Sequence, residues 1–169
     1  MGLGIQTKFL KLIGREEQIG ASTGLLVLNW IVQRIFRQNS SVPFSVHHTS
    51  NIRGYKNMRL GSKVSFSMTV SGSVNIYASD NTILEIGEGT IFANNVCIRT
   101  ANHDFMDRNK YTLGNVKIGK NCWLGHGAVI LPSVTLGENV TVGANSVVTK
   151  SFPDNCVIAG VPAKIVKEF

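Results

Sequence analysis

The chain has 169 residues, of which 43% are hydrophobic and 16% charged. It is long enough for one domain with its own core and poor in charge for a set of solvated helices. Its formal charge of +7 falls wholly on residues 1–63, with nine Lys and Arg against two acids, while residues 64–169 carry eight of each. This argues against a nucleic-acid role for the C-terminal two thirds and turns the N-terminal third toward solvent or something anionic, such as a membrane surface or a phosphorylated carrier.

Residues 1–50 form a basic, partly helical segment. Met1–Ile13 lacks a continuous apolar core before a cleavage site, so no signal peptide is expected. Phe9, Leu10 and Ile13 lie on one face of a short helix that Gly14 and Gly20 interrupt. Ser22 or Thr23 then caps a helix reaching about Gln38, apolar at Leu25, Leu26, Leu28, Trp30, Ile31, Val32, Ile35 and Phe36. Its longest apolar run is far short of the roughly 20 residues needed to span a bilayer. Two placements remain open: packing on the rest of the chain or a neighbouring subunit, or lying in a membrane interface with Trp30, Arg34 and Arg37 as anchors. Asn39 to Pro43 reads as a turn. His47 and His48 are adjacent, and in a strand they would face opposite ways.

From Asn51 a six-residue rhythm begins loosely and ends at Phe152, within a repeat domain expected over 51–169. Leu60-Gly61, Phe66 and Ile76 fall in frame, with Val64 and Val70 at position five. The frame slips near Asp80-Asn81, at a bulged corner, and resumes at Ile86-Gly87, Phe92-Ala93 and Ile98. Asn102 is a misfit at position five, and residues 101–115 leave the repeat as a polar loop. The cleanest stretch follows. Ile118, Leu124, Ile130, Leu136, Val142 and Val148 occupy position one, glycine often follows, and Cys122, Ala128, Val134, Val140, Ser146 and Phe152 occupy position five. A six-residue period fits neither an α-helix nor a hairpin strand and marks a parallel β-helix. Three hexads make one triangular coil of 18 residues. Position-one side chains point inward, position five fills the corner, and Gly or Asn supplies the turn dihedrals. After Phe152, Cys156–Ala159 closes a partial coil, Gly160–Lys164 turns, and Ile165–Phe169 is a tail.

A polar excursion from a regular stack is where a site is built. Within it His103, between Asn102 and Asp104, has the side chain best tuned to move a proton near neutral pH. Cys97, Cys122 and Cys156 are odd in number and irregular in spacing, so neither a disulfide framework nor a zinc knuckle is expected. A reduced, cytoplasmic protein is the expectation.

Residues from about Gly72 to Lys167 resemble the hexapeptide-repeat acyltransferases, most closely the sugar and cell-surface polysaccharide O-acetyltransferases of the galactoside and maltose acetyltransferase type. The matching motifs are Ile86-Gly87, the Asn102-His103-Asp104 loop, Ile118 to Gly125, Ala128 to Pro132, Val142 to Lys150, and Ala159 to Lys164. The resemblance implies a left-handed parallel β-helix, an exception to the right-handed crossover rule whose hand the hexads alone do not settle. It implies a homotrimer with active sites between subunits, acetyl-CoA as co-substrate, a sugar hydroxyl as acceptor in capsule, exopolysaccharide or O-antigen synthesis, and no metal. It makes His103 the general base, with Asp104 or a backbone carbonyl orienting it, and backbone N–H groups at Gly125 or His126 the oxyanion donors. Trp123, Gly125, Ala144, Thr149, Lys150 and Lys164 become the cofactor contacts, with Lys167 a further phosphate candidate. Asn75 (or Ser73), Asn102 and Asp104 become the acceptor contacts. No cysteine is needed as nucleophile. Two departures stand out. Ser133 replaces a glycine, and His126 occupies a position where a small residue is common, beside the thioester pocket.

Other readings have less support. Serine acetyltransferases usually carry a large helical N-terminal domain, which the first 60 or so residues do not supply. A γ-type carbonic anhydrase needs three zinc-binding histidines, and the repeats hold only His103 and His126. A structural trimer without activity would have no need of the His103 loop or of Thr149-Lys150.

Overall fold

The computed structural model describes residues 2–12 and 16–169, with the side chains of Leu3, Ile5, Phe9 and Glu17 outside that description. Three parallel sheets carry most of the chain. The first stacks Asn51–Arg53, Asn75–Tyr77, Cys97–Arg99, Val129–Ile130 and Val147–Val148. The second stacks Met58–Leu60, Leu84–Ile86, Val116–Ile118 and Thr135–Leu136, with Phe152 bridged to Leu136 below. The third stacks Ile91–Phe92, Trp123–Leu124, Thr141–Val142 and Cys156–Gly160. The chain visits the first, second and third sheets in fixed rotation, so each circuit from Asn75 to Val142 lays one strand on each face.

The pairing gives the length of each coil directly. Val129 pairs with Val147, Lys117 with Thr135 and Trp123 with Thr141, each 18 residues on. This is the period expected from three hexads. Position-one residues Ile118 through Val148 and position-five residues Cys122 through Phe152 are all buried. Polar residues at position five are satisfied inside. Thr90 Oγ1 donates to the Gly119 carbonyl at 2.8 Å and accepts from Cys122 N, and Ser146 Oγ accepts from Gly160 N. The expected turn chemistry divides between two positions. Positive φ falls at position four, on Asn121, Gly127, Ser133, Asn139 and Asn145. The position-two glycines serve a different need: a Cβ on Gly119 would collide with the Gly137 backbone of the next coil. Ser133, where the resemblance implies glycine, holds φ at 66°.

The first coil departs from the hexad reading. Val64–Val70, expected as repeat with Val64 and Val70 at corners, is an α-helix that stands where the third sheet would have its first strand. Ser67 Oγ accepts from Phe92 N, and Ser71 Oγ donates to the Phe92 carbonyl. Side-chain hydroxyls thus close an edge that no strand covers, which a frame count of apolar residues does not reveal. At the other end, Ala163–Glu168 is not a loose tail. It pairs antiparallel with Cys156–Gly160.

Before the first coil lie Gly2–Leu12, a short 3-10 turn, and a helix at Thr23–Arg34. Leu10 is buried, whereas Phe9 and Ile13, expected on the same face, lie outside the described side chains and residues, as does Gly14. Ser22 caps the second helix by accepting from Leu25 N at 3.3 Å. The helix stops at Arg34, short of Gln38. Its buried residues are Asn29 and Gln33, while Val27, Leu28 and Trp30 are exposed. His47 and His48 also differ from expectation. They are not in a strand, and their rings stack at 4.3 Å. Among the described residues no helix is long and apolar enough to cross a membrane.

Candidate active site

The excursion after Arg99 is an antiparallel hairpin. Ala101–His103 pairs with Tyr111–Leu113 in the register His103 to Tyr111. It adds 14 residues to one coil, since Cys97 pairs with Val129 32 positions on, whereas Val129 pairs with Val147 18 positions on. Its root is pinned at the corner between the first and second sheets. Thr100, fully buried, shares a 2.6 Å hydrogen bond with Thr82 and accepts from Ser79 N, and Gly114 N donates to the Thr100 carbonyl. Asn115 Oδ1 accepts from Ile83 N at 2.9 Å. These anchors bind residues 14 to 32 positions apart, so no local motif announces them.

The turn of the hairpin is built to hold His103. Asp104 Oδ1 accepts from Met106 N at 2.8 Å and Asp107 N at 3.1 Å. These two backbone donors hold its carboxyl below the usual range, backbone donation from Met106 contributing most. Arg108 Nη1 donates to the Asp104 carbonyl, and Asp104 N donates to the Lys110 carbonyl. The wound turn brings the Arg108 carbonyl to 2.8 Å from His103 Nδ1. A carbonyl only accepts, so Nδ1 carries the hydrogen and Nε2 of the neutral ring keeps its lone pair. The Tyr111 ring packs against the imidazole, tilted at 36° with centroids 4.6 Å apart. The orienting group is therefore a backbone carbonyl, and Asp104 acts on His103 through the turn. Tyr111 and Thr100 were not singled out in the sequence. Tyr111 had a readable signal, its position directly across a hairpin from His103.

The other expected site residues fall into separate groups. Asn102 is exposed on the hairpin, and Asn75 sits half-buried on the first sheet in register with Asn51 and Cys97. Thr149 and Lys150 are exposed two coils below the hairpin on its own corner, with Lys150 Nζ 5.6 Å from the Phe152 ring centre. Trp123 is 51% exposed on the third sheet. Gly125 and Ala144 lie at the corner between the third and first sheets, and Lys164 is exposed on the last strand, paired with Ala159. One chain thus brings His103, Asn102, Asp104, Thr149 and Lys150 to one corner and leaves Trp123, Gly125, Ala144 and Lys164 elsewhere. Of the two expected oxyanion donors, Gly125 N is already bonded to the Val142 carbonyl at 2.8 Å. His126 N has no partner among the described residues, and its ring Nε2 accepts from the Asn95 amide. Cys122 and Cys156 are buried, and burial pushes both thiols up, away from the thiolate a nucleophile needs. Among the described residues no group of three His, Cys, Asp or Glu side chains could hold a metal ion.

The bacterial transferase hexapeptide family (six repeats) matches residues 115–150. A putative lipopolysaccharide biosynthesis O-acetyl transferase of Escherichia coli, WbbJ, is 31% identical over 85% of this chain and 87% of its own length. The chain belongs to the hexapeptide-repeat acetyltransferase family. The galactoside O-acetyltransferase of Lactococcus lactis is 36% identical over 64% of this chain, and the match spans 54% of that relative, about half its length. Among solved structures, a galactoside acetyltransferase in complex with coenzyme A superposes with a TM-score of 0.62 at 26% identity, covering 99% of this chain and 82% of that one. A maltose O-acetyltransferase from Clostridium difficile gives 0.59 at 28% identity, covering 99% and 88%.

Proposed function

We propose that this chain transfers an acetyl group from acetyl-CoA to a sugar hydroxyl in the synthesis of a cell-surface polysaccharide, as a homotrimer of left-handed β-helices. The observation that carries the reading is the 2.8 Å contact between His103 Nδ1 and the Arg108 carbonyl, which leaves Nε2 free as a base on an exposed hairpin. The division of the other residues between two corners supports a site made by two copies. The hairpin of one copy reaches the face of the next, where Trp123, Gly125 and Ala144 line the thioester channel. Thr149, Lys150 and Lys164 meet the pantetheine arm and the phosphates, lysine serving as a point charge. Asn75 and Asn102 contact the acceptor. Residues 1–50 form a basic segment ahead of the catalytic coils, joined to their core through Val42 and Val46.

In the reaction Nε2 of His103 takes the proton as the sugar oxygen attacks the thioester carbonyl. The C–O bond forms, and the carbonyl oxygen becomes an oxyanion that accepts from the N–H of His126. Collapse breaks the C–S bond, and the imidazolium returns its proton to the departing thiolate. The sugar ester and free coenzyme A result, with no acyl-enzyme.

The test is thiol release from acetyl-CoA with a panel of free sugars and polysaccharide fragments, with ester formation confirmed by mass spectrometry. Transfer to at least one sugar, abolished or much reduced in His103→Ala, is expected. Transfer that His103→Ala leaves undiminished would sink the general-base assignment, and thiol release without a sugar ester would sink the acceptor class.

A further inference from the structure

The helix Thr23–Arg34 is inside out for a helix packed on a core. Its inward side is polar. Asn29 Nδ2 donates to Ser45 Oγ and the Thr69 carbonyl, and its Oδ1 accepts from His48 N at 2.9 Å. Gln33 Nε2 donates to the carbonyls of Asn39, Val42 and Phe44. Asn29 and Gln33, one turn apart, thus clasp the chain that leads into the first coil. Leu25, Leu26, Ile31 and Val32 are half-buried, and the remaining apolar residues are left outside. Val27 and Trp30 stand on the far side of the helix, and Ile35 and Phe36 follow directly after it, with Trp30 53% and Phe36 73% exposed. Scattered exposed apolar residues are ordinary, but five in the ten residues 27–36, with an indole among them, form a patch.

The charges beside the patch are all of one sign. Arg34 and Arg37 are exposed, and neither makes an ion pair among the described residues. A polar cleft of about 720 Å³ at the C-terminal end of the helix is lined by Arg37, Arg53, Ser40 and Ser41, with no acid in its lining. The only carboxylates in residues 1–63 are Glu16 and Glu17, against nine Lys and Arg.

We infer that this face docks on the surface of an anionic phospholipid bilayer, with Val27, Trp30, Ile35 and Phe36 entering the interface and Arg37 and Arg53 meeting headgroup phosphates at the cleft. Charge complementarity selects this occupant. A second copy would bring the same basic segment to the contact, and like charges there oppose association. A bilayer with negative headgroups supplies both halves of the match, an apolar layer under an anionic one. The 12-residue helix is too short to cross, so it lies along the interface. The inference goes beyond acetyl transfer and does not depend on it.

The test floats the full chain with vesicles of phosphatidylcholine alone and of phosphatidylcholine mixed equally with phosphatidylglycerol, at low salt. Binding to the anionic vesicles only is expected, weakening as salt rises. Arg37→Ser and Arg53→Ser should each weaken it about fivefold. The double variant Trp30→Ser/Phe36→Ser should abolish it while leaving thermal unfolding and acetylation of a free sugar unchanged. Equal binding to both vesicles, or binding to neither, overturns the inference. So does a Trp30→Ser/Phe36→Ser protein of lower oligomeric mass by sedimentation velocity, since that assigns the face to a second copy. Loss of vesicle binding with sugar acetylation intact separates this inference from the catalytic one.

Discussion

The stack from Ile118 to Phe152 and the hairpin from Ala101 to Leu113 follow opposite rules. In the stack each side chain has the environment its place in the hexad dictates, and the same contacts recur every coil. In the hairpin nothing recurs. His103 is placed by single contacts, one carbonyl and one ring, themselves held by Asp104 and a buried Thr100. The difference separates stability from chemistry. A change in the stack should cost folding free energy, while a change at the hairpin should cost rate and leave the fold nearly untouched.

The sharpest test of that separation is His103→Ala. It should lower acetyl transfer by about 10²–10⁴-fold, measured as thiol release, with the melting temperature unchanged. The reciprocal case is Ile130→Ala. Ile130 is fully buried, and its loss should lower stability by about 2–5 kcal/mol in a denaturant titration. Activity per folded molecule should stay near the parent's. If His103→Ala melts early, or Ile130→Ala leaves stability intact, the division fails.

Asp104→Ala tests whether the turn matters through His103. Releasing the Met106 and Asp107 N–H groups should let the Arg108 carbonyl drift, lowering kcat by up to about 100-fold. Asp104→Asn keeps an acceptor and should recover part of the rate. A loss confined to KM would make Asp104 a contact for the acceptor. Within the stack, Asn145 sits at φ 55°, so Asn145→Val should cost about 1–2 kcal/mol. Asn145→Gly should cost little, because glycine adopts that conformation freely.

The smallest effect lies outside both regions. Burial first, and then the neighbouring His48, hold the His47 pKa below its ordinary 6.5. The unfolded chain therefore takes up the proton first, so this contribution to stability is complete above 6.5 and is lost as pH falls through the lowered value. Melting temperature should decline across that acid window, and His47→Gln should flatten that part of the profile.

Much of the hairpin corner was legible before the structure. Asn102 breaks the frame at position five, and the repeat does not resume until Ile118, so the excursion and its histidine stand out. The turn was not legible. Which group faces His103 Nδ1 depends on how Asp104, Arg108 and Lys110 close a seven-residue reversal, and their residue types alone allow several closures. The split of Trp123, Gly125 and Ala144 from His103 was likewise hidden, because a hexad count gives the corner of a residue only once the strands have been assigned to sheets. Gly125 illustrates this, since its N–H is taken by the Val142 carbonyl one coil below and leaves His126 as the open donor.

By itself the sequence determined the coil. A period of six with aliphatic, glycine and small positions leaves one way to bury the apolar residues, and repetition confirms it from hexad to hexad. Tertiary structure decided what has no repeat. Val64–Val70 became a helix because hydroxyls at Ser67 and Ser71 could close the third sheet at Phe92. The helix Thr23–Arg34, apolar by composition, turned Asn29 and Gln33 inward because orphan carbonyls and an N–H from residues 6 to 40 positions away needed partners there. Apolar content predicts burial only when no stronger claim exists on the buried side, and unsatisfied backbone groups make the stronger claim.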